Sequence, residues 1–229
     1  NRTNAICTLG LWGPKAVEVL ATITETDLNQ AAFPYGSCQQ VLLAGLPTEM
    51  FRVSYVGDSG FEIYAAMQHG QALWDAIMEV GGACDLRPVG AAVYGTSGRL
   101  DKGYRLMGAE LENEYNPVEA GLARPKVKAA DFIGKAEYLK ARDSDLCAQL
   151  CVLSIDDLNC EAGYLRFPMG AGNEPVLSLS GERLVDAKGR VSRVTTAGNA
   201  PSVGKYLLMA YLPIEACDRG TKLQVMYQN

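Results

Sequence analysis

A change of hydrophobic period near residues 143–146 constrains this chain more than any other feature. Before it, apolar residues at helical spacing alternate with short β-rich runs; after it, every run is short and separated from the next by a glycine-containing turn. The period-two runs are Gln149–Ile155, Val176–Leu179, Arg190–Thr196, Tyr206–Tyr211 and Lys222–Tyr227. Such spacing predicts a small antiparallel barrel or sandwich. The fold class expected is therefore α+β, with a mixed region over 1–143 and an all-β region over 146–229. A length of 229 residues agrees, since it exceeds the ~150 of one typical domain.

Within the first region, Pro14 stands where a helix opens, and Val17, Leu20 and Ala21 share one face, predicting a helix over 14–24. Runs 39–44 and 50–55, separated by Gly45-Leu46-Pro47, read as a hairpin, and Phe61–Tyr64 as a further strand. The stretch 72–82 is an amphipathic helix ending on glycine. Residues 88–100 form a glycine-weakened helix, 113–128 form loop around Pro117, Gly121 and Pro125, and Asp131 caps a helix over 131–139.

Charge and composition exclude several classes. The net charge of -5 argues against a duplex nucleic-acid binder, which needs clustered Lys and Arg to neutralise phosphate. No apolar run reaches the ~20 residues a membrane-spanning helix requires, so no membrane partner is expected. Seven scattered cysteines, including Cys160, without a CxxC pair read as reduced thiols, which places the chain in a reducing compartment, cytoplasmic or mitochondrial matrix. His69 is the only histidine, so neither a zinc site nor a histidine-based triad is expected, and acid–base chemistry would rest on carboxylates, tyrosines or lysines. The start, Asn1-Arg2-Thr3-Asn4, carries no signal-peptide core and no initiator Met, and reads as the inside of a longer protein.

The stretch Tyr55-Val56-Gly57-Asp58-Ser59-Gly60-Phe61-Glu62-Ile63 is the most informative. Its glycines allow a tight reversal, and the following strand, in place of a helix, rules out a dinucleotide fingerprint. Glu62 lies between Phe61 and Ile63, so its face of the strand either meets solvent or binds something polar. In the second case the carboxylate would accept two parallel N–H bonds from a pterin or amide ring, with Tyr55 beside it. Gly98-Arg99-Leu100-Asp101-Lys102-Gly103 reads as a helix end with a local ion pair and a glycine stop, with catalysis as the competing reading. Asn116-Pro117-Val118-Glu119 reads as loop geometry or a ligand contact.

These motifs, in this order, resemble the folate-binding aminomethyltransferases: the glycine cleavage T-protein and the folate domains of dimethylglycine and sarcosine dehydrogenases. The resemblance rests on Leu9–Ala16, Ser54–Ile63, Arg99–Tyr104, Asn116–Leu122, Asp131–Lys135 and Val194–Gly198, and covers essentially the whole chain. It implies a three-lobed ring with tetrahydrofolate in a central channel, Glu62 holding the pterin and Tyr55 lining the same pocket. It also implies a one-carbon transfer that yields methylenetetrahydrofolate, with a lipoyl carrier protein or a fused or associated flavin dehydrogenase as partner. The alternatives are the folate domain of an amine dehydrogenase, a folate-dependent demethylase, and a non-catalytic folate-binding module.

The chain departs from the family's pattern in three places. The family's upstream segment, with the aspartate that orients the folate nitrogen, does not precede Asn1, so these 229 residues alone are expected to be inactive. No catalytic residue is assigned within them. Gly95 stands where T-proteins carry an arginine directed at the folate's glutamyl tail, and Arg124 stands at a usually aromatic position. A guanidinium forks onto carboxylates, so Arg124 is read as a substitute contact for that tail, with a solvated loop residue as the alternative.

Overall fold

The computed structural model describes residues 1–124, 126–156 and 173–226. Pro125, Cys160 and Tyr227, named above, lie outside the described residues. The chain divides into two compact units, Asn1–Ala91 and Ala92–Asn229. The change of period at 143–146 falls inside the second.

The first unit is a four-stranded antiparallel sheet in the order β1-β4-β3-β2, formed by β1 (Ile6–Trp12), β2 (Cys38–Leu43), β3 (Leu46–Phe51) and β4 (Gly60–Ala66). Two helices, α1 (Ala16–Ala21) and α2 (Gly70–Gly81), pack on one face of it. Strand β4 shows why the sheet has two unlike faces. Phe61, Ile63 and Ala65 are buried in a core with Leu11, Leu20, Phe33, Met50 and Leu73, whereas Glu62 and Tyr64 point to the opposite face. Helix α2 buries Leu73, Ile77 and Gly81, spaced one turn apart. A hairpin forms where one was expected, but its second strand is Leu46–Phe51 and not 50–55: the turn is Ala44 (φ 48) and Gly45 (φ 76), the paired positive φ of a two-residue turn that follows the sheet's twist, and Leu46 and Pro47 already pair with β2. The helix expected over 14–24 shortens to six residues, because the chain is still in a glycine turn at Gly13 (φ 138).

The second unit opens with a π-helical turn, Val93–Gly98, that runs into the short helix α3 (Arg99–Asp101). Helix α4 spans Lys135–Arg142. Asp131 does not cap it: Gly134 stands at the N-cap with φ 84, a left-handed conformation that no helix interior accepts. The three-stranded antiparallel sheet β5-β8-β7 comprises β5 (Ala148–Ser154), β7 (Val194–Ala200) and β8 (Lys205–Pro213), and β6 (Val176–Leu177) pairs separately with β9 (Gln224–Val225). Among the described residues these strands make two sheets and no closed barrel. Strand β7 begins at Val194 and not at Arg190, because Asp186 accepts the backbone N–H groups of Lys188 (2.8 Å) and Arg190 (3.0 Å) and bends 186–190 into a turn. Strand β8 is buried on both faces: Leu208, Ala210 and Leu212 enter one core, and Leu207, Met209 and Tyr211 another. Its near-continuous apolar run follows from that.

Candidate functional site

The face of the first sheet opposite the helices carries the candidate site. After β3 the chain reverses through Ser54, whose Oγ accepts the Gly57 N–H at 2.9 Å, with Gly57 at φ 87. Tyr55 is half-buried in this reversal, Asp58 is exposed, and β4 follows. Glu62 sits opposite Gly10 of β1 and Phe51 of β3, so those positions share its face. The indole of Trp12 lies over Gly10, where a Cβ would come within 2.0 Å of the ring, and its Nε1 donates to the Val53 carbonyl at 3.1 Å. The Tyr64 hydroxyl donates to Glu62 Oε2 at 2.7 Å, and the Tyr64 ring meets Phe51 edge-on with centroids 5.2 Å apart. The result is one half-buried carboxylate among Trp12, Phe51 and Tyr64, suited to accept paired N–H donors of a flat heterocycle. Of the candidate residues named from the sequence, Glu62 lies on β4 and Tyr55 in the reversal before it; Tyr64 and Phe51 were not named as candidates, although the i, i+2 spacing of Glu62 and Tyr64 is visible in the sequence.

Arg124 lies in the second unit with its side chain exposed, and its backbone N–H donates to the Tyr138 hydroxyl at 2.9 Å. The Gly95 carbonyl accepts Arg99 Nε at 2.6 Å. Arg99 does not pair locally with Asp101. It reaches Glu110, Nη1 to Oε2 at 3.0 Å, with side chains 2% and 0% exposed. Nη1 also donates to the Tyr104 carbonyl, and Nη2 to Thr196 Oγ1 at 2.7 Å. Glu110 Oε1 accepts the hydroxyls of both Thr195 (2.6 Å) and Thr196 (2.5 Å), and Oε2 the Leu106 N–H. Consecutive strand residues normally face opposite ways; here a register shift between Val194 and Thr196 turns both hydroxyls onto one oxygen.

A second charged cluster explains the Asn116–Glu119 motif. Asn116 Oδ1 accepts the N–H groups of Val118 and Glu119, while Glu119 Oε2 accepts the backbone and side-chain N–H groups of Asn116. Glu119, 1% exposed, pairs with Arg190 and Lys188, and Arg190 also pairs with Asp186 at 2.7 Å. Burial pushes the Glu119 carboxyl up, but Arg190, the Asn116 N–H and Lys188 outweigh it and hold the group below its ordinary value. Asp186 is likewise held low against its burial by the N–H groups and guanidinium of Arg190. The Arg190 guanidinium lies 4.2 Å from the Tyr115 ring centroid, and that ring stacks on Tyr211 at 3.6 Å. Burial, with Glu114 nearby, raises the Tyr115 phenol to about 12. Loop geometry is thus the motif's visible work.

Two surface clefts of roughly 930 and 730 Å³ are lined by residues within 149–225 and within 22–45 respectively, and neither includes Tyr55, Glu62 or Arg124. Among the described residues no three His, Cys, Asp or Glu side chains converge as a metal site, and no helix is long and apolar enough to cross a membrane.

A mixed helix-and-sheet fold with a carboxylate framed by aromatics on one sheet face defines the class, and comparison with known proteins gives the family. The chain belongs to the GCVT N-terminal domain family, whose signature matches residues 1–128. It is 30% identical to an aminomethyltransferase of Desulforamulus reducens over all of this chain and 58% of that protein. It is 31% identical to the mitochondrial dimethylglycine dehydrogenase of Homo sapiens over 98% of this chain and 24% of that protein. Its fold is similar to the crystal structure of glycine cleavage system aminomethyltransferase T from Bartonella henselae, with a TM-score of 0.74 at 21% identity, covering 97% of this chain and 56% of that one. The chain therefore spans little more than half the length of these aminomethyltransferases and a quarter of the dehydrogenase.

Proposed function

We propose that this chain is part of a tetrahydrofolate-dependent aminomethyltransferase and that residues 1–143 hold the folate. The observation that carries the reading is the Glu62 carboxylate, presented on a sheet face beside Trp12, Phe51 and Tyr64. The residues fit the group: an ionised glutamate accepts a donor pair from an aminopyrimidine edge, and aromatic side chains flank a planar ring. Tetrahydrofolate, when bound, supplies the N5 and N10 atoms that take up the one-carbon unit. Glu62 would fix the orientation of the ring and Tyr55 would line the pocket; Arg124, in the second unit, is read by itself as a candidate contact for glutamyl carboxylates. Positioning of this kind supplies several kcal/mol of rate acceleration without acid–base chemistry. The carrier would be a lipoyl protein.

A second reading is the folate domain of an amine dehydrogenase, with a flavin domain as partner. The match of 98% of this chain to a dimethylglycine dehydrogenase supports it. Both readings use the same pocket, and both are tested by Glu62→Ala in the intact protein. Loss of the acceptor leaves the ring's donors unpaired and is expected to weaken binding of a reduced folate by about 1.5–3 kcal/mol. Unchanged affinity in calorimetric titration would overturn the assignment of Glu62.

A further inference from the structure

Residues two apart on a strand share a face, and on β4 that places Tyr64 beside Glu62. The Tyr64 hydroxyl donates to Glu62 Oε2 at 2.7 Å, a charge-assisted bond between the only hydrogen-bonding atoms of a rigid ring and the end of a flexible chain. The ring is itself held: Phe51 meets it edge-on at an interplanar angle of 70°. Phe51 sits opposite Glu62 in the register, so the three side chains form one contiguous group on adjacent strands. A glutamate left to rotate gives up as much as ~2 kcal/mol of rotamer freedom when a ligand fixes it. Tyr64 removes part of that freedom in advance. A carboxylate offers about four lone-pair directions, so one bond from Tyr64 still accommodates two parallel donors, one on each oxygen.

We propose that Tyr64 is a positioning residue that holds the Glu62 carboxylate in its ligand-accepting orientation and so selects planar ligands that present a paired N–H donor edge. This rests on the reading of Glu62 as the pterin acceptor. Tyr64 need not touch the ligand, and acts through Glu62. Phe51 supports it from behind by restraining the ring.

The test is a double-mutant cycle in the full chain, with calorimetric titration of 5-formyltetrahydrofolate and of its 2-desamino analogue, which lacks half of the donor pair. Tyr64→Phe keeps the ring and its packing against Phe51. It is expected to weaken the reduced folate by a factor of about 5–30, the loss of one charge-assisted bond, and to change the desamino analogue less than twofold. In the Glu62→Gln background the same change should add nothing. Phe51→Leu, which loosens the ring without removing the hydroxyl, should shift the same selectivity in the same direction by a smaller factor. Glu62→Gln losing affinity while Tyr64→Phe binds like wild type would overturn the positioning role and leave the Glu62 reading standing. Glu62→Gln binding like wild type would remove both. Equal weakening of the two ligands by Tyr64→Phe, additive with Glu62→Gln, would make Tyr64 a packing residue only and also overturn the proposal.

Discussion

Arg99→Met removes a guanidinium from a site with no solvent to replace it. Glu110, 0% exposed, keeps the Leu106 N–H and the Thr195 and Thr196 hydroxyls but loses its counter-charge. The Gly95 carbonyl, bonded at 2.6 Å, and the Tyr104 carbonyl, at 3.0 Å, lose a donor as well. Removing one partner of a buried pair costs about 3–5 kcal/mol, because the remaining charge stays buried. At a urea dependence of about 2 kcal/mol per molar, that lowers the unfolding midpoint of the second unit by roughly 1.5–2.5 M. Far-UV circular dichroism follows this transition, while Trp12 and Trp74, both in the first unit, report that unit by fluorescence. The double variant Arg99→Met/Glu110→Leu removes both charges and should recover at least about 1 kcal/mol of the single loss. A single variant that unfolds at the wild-type midpoint, or a double variant less stable than the single, would refute the argument.

The remaining predictions are smaller in scale. Glu119 and Asp186 are held below their ordinary values of 4.5 and 3.8, so their stabilisation is complete above pH 4.5 and fades as pH falls. Stability of the second unit should therefore fall as pH drops below 4.5, and Arg190→Met should flatten the profile in chemical denaturation at successive pH values. Ala44→Asn relieves a non-glycine residue at φ 48 in the β2–β3 turn and should raise the midpoint of the first unit by an amount worth about 0.5–1 kcal/mol. Arg124→Gln should weaken polyglutamylated folate more than a tail-less pterin, and the difference should shrink at high salt, where charges are screened beyond about 8 Å. Equal affinities of the wild type for both ligands would end that role.

Local chemistry was legible where a single stretch decides it. The β2–β3 hairpin, the strand carrying Glu62, and helix α2 with its glycine end were all readable, because alternation, turn residues and helical spacing act over a few residues. What escaped depends on partners far along the chain. Glu110 looks like one more acidic loop residue, and only the fold brings it to Arg99, 11 residues earlier, and to Thr195, 85 residues later. Arg190 looked like the start of a strand, but its turn is tied by Asp186 and its head by Glu119, partners that the local pattern does not reveal. Barrel closure was inferred from turn spacing, but spacing does not encode which strands pair; among the described residues the strands form two sheets, and the apolar run of β8 records two covered faces. In the first unit, Glu62 was placed on the correct strand, and the face it shares with Tyr64 follows from the same period of two.

The register shift in β7 has a consequence for how this stretch tolerates change. Two neighbouring hydroxyls reach one Glu110 oxygen only because a residue is unpaired between Val194 and Thr196. Deleting one residue there would restore regular pairing and swing one threonine to the far face, away from Glu110. Exchanging either threonine for serine keeps the hydroxyl and the spacing. The segment therefore reads as a ruler more than as a list of side chains: its length, counted in residues, should be fixed more strictly than its composition.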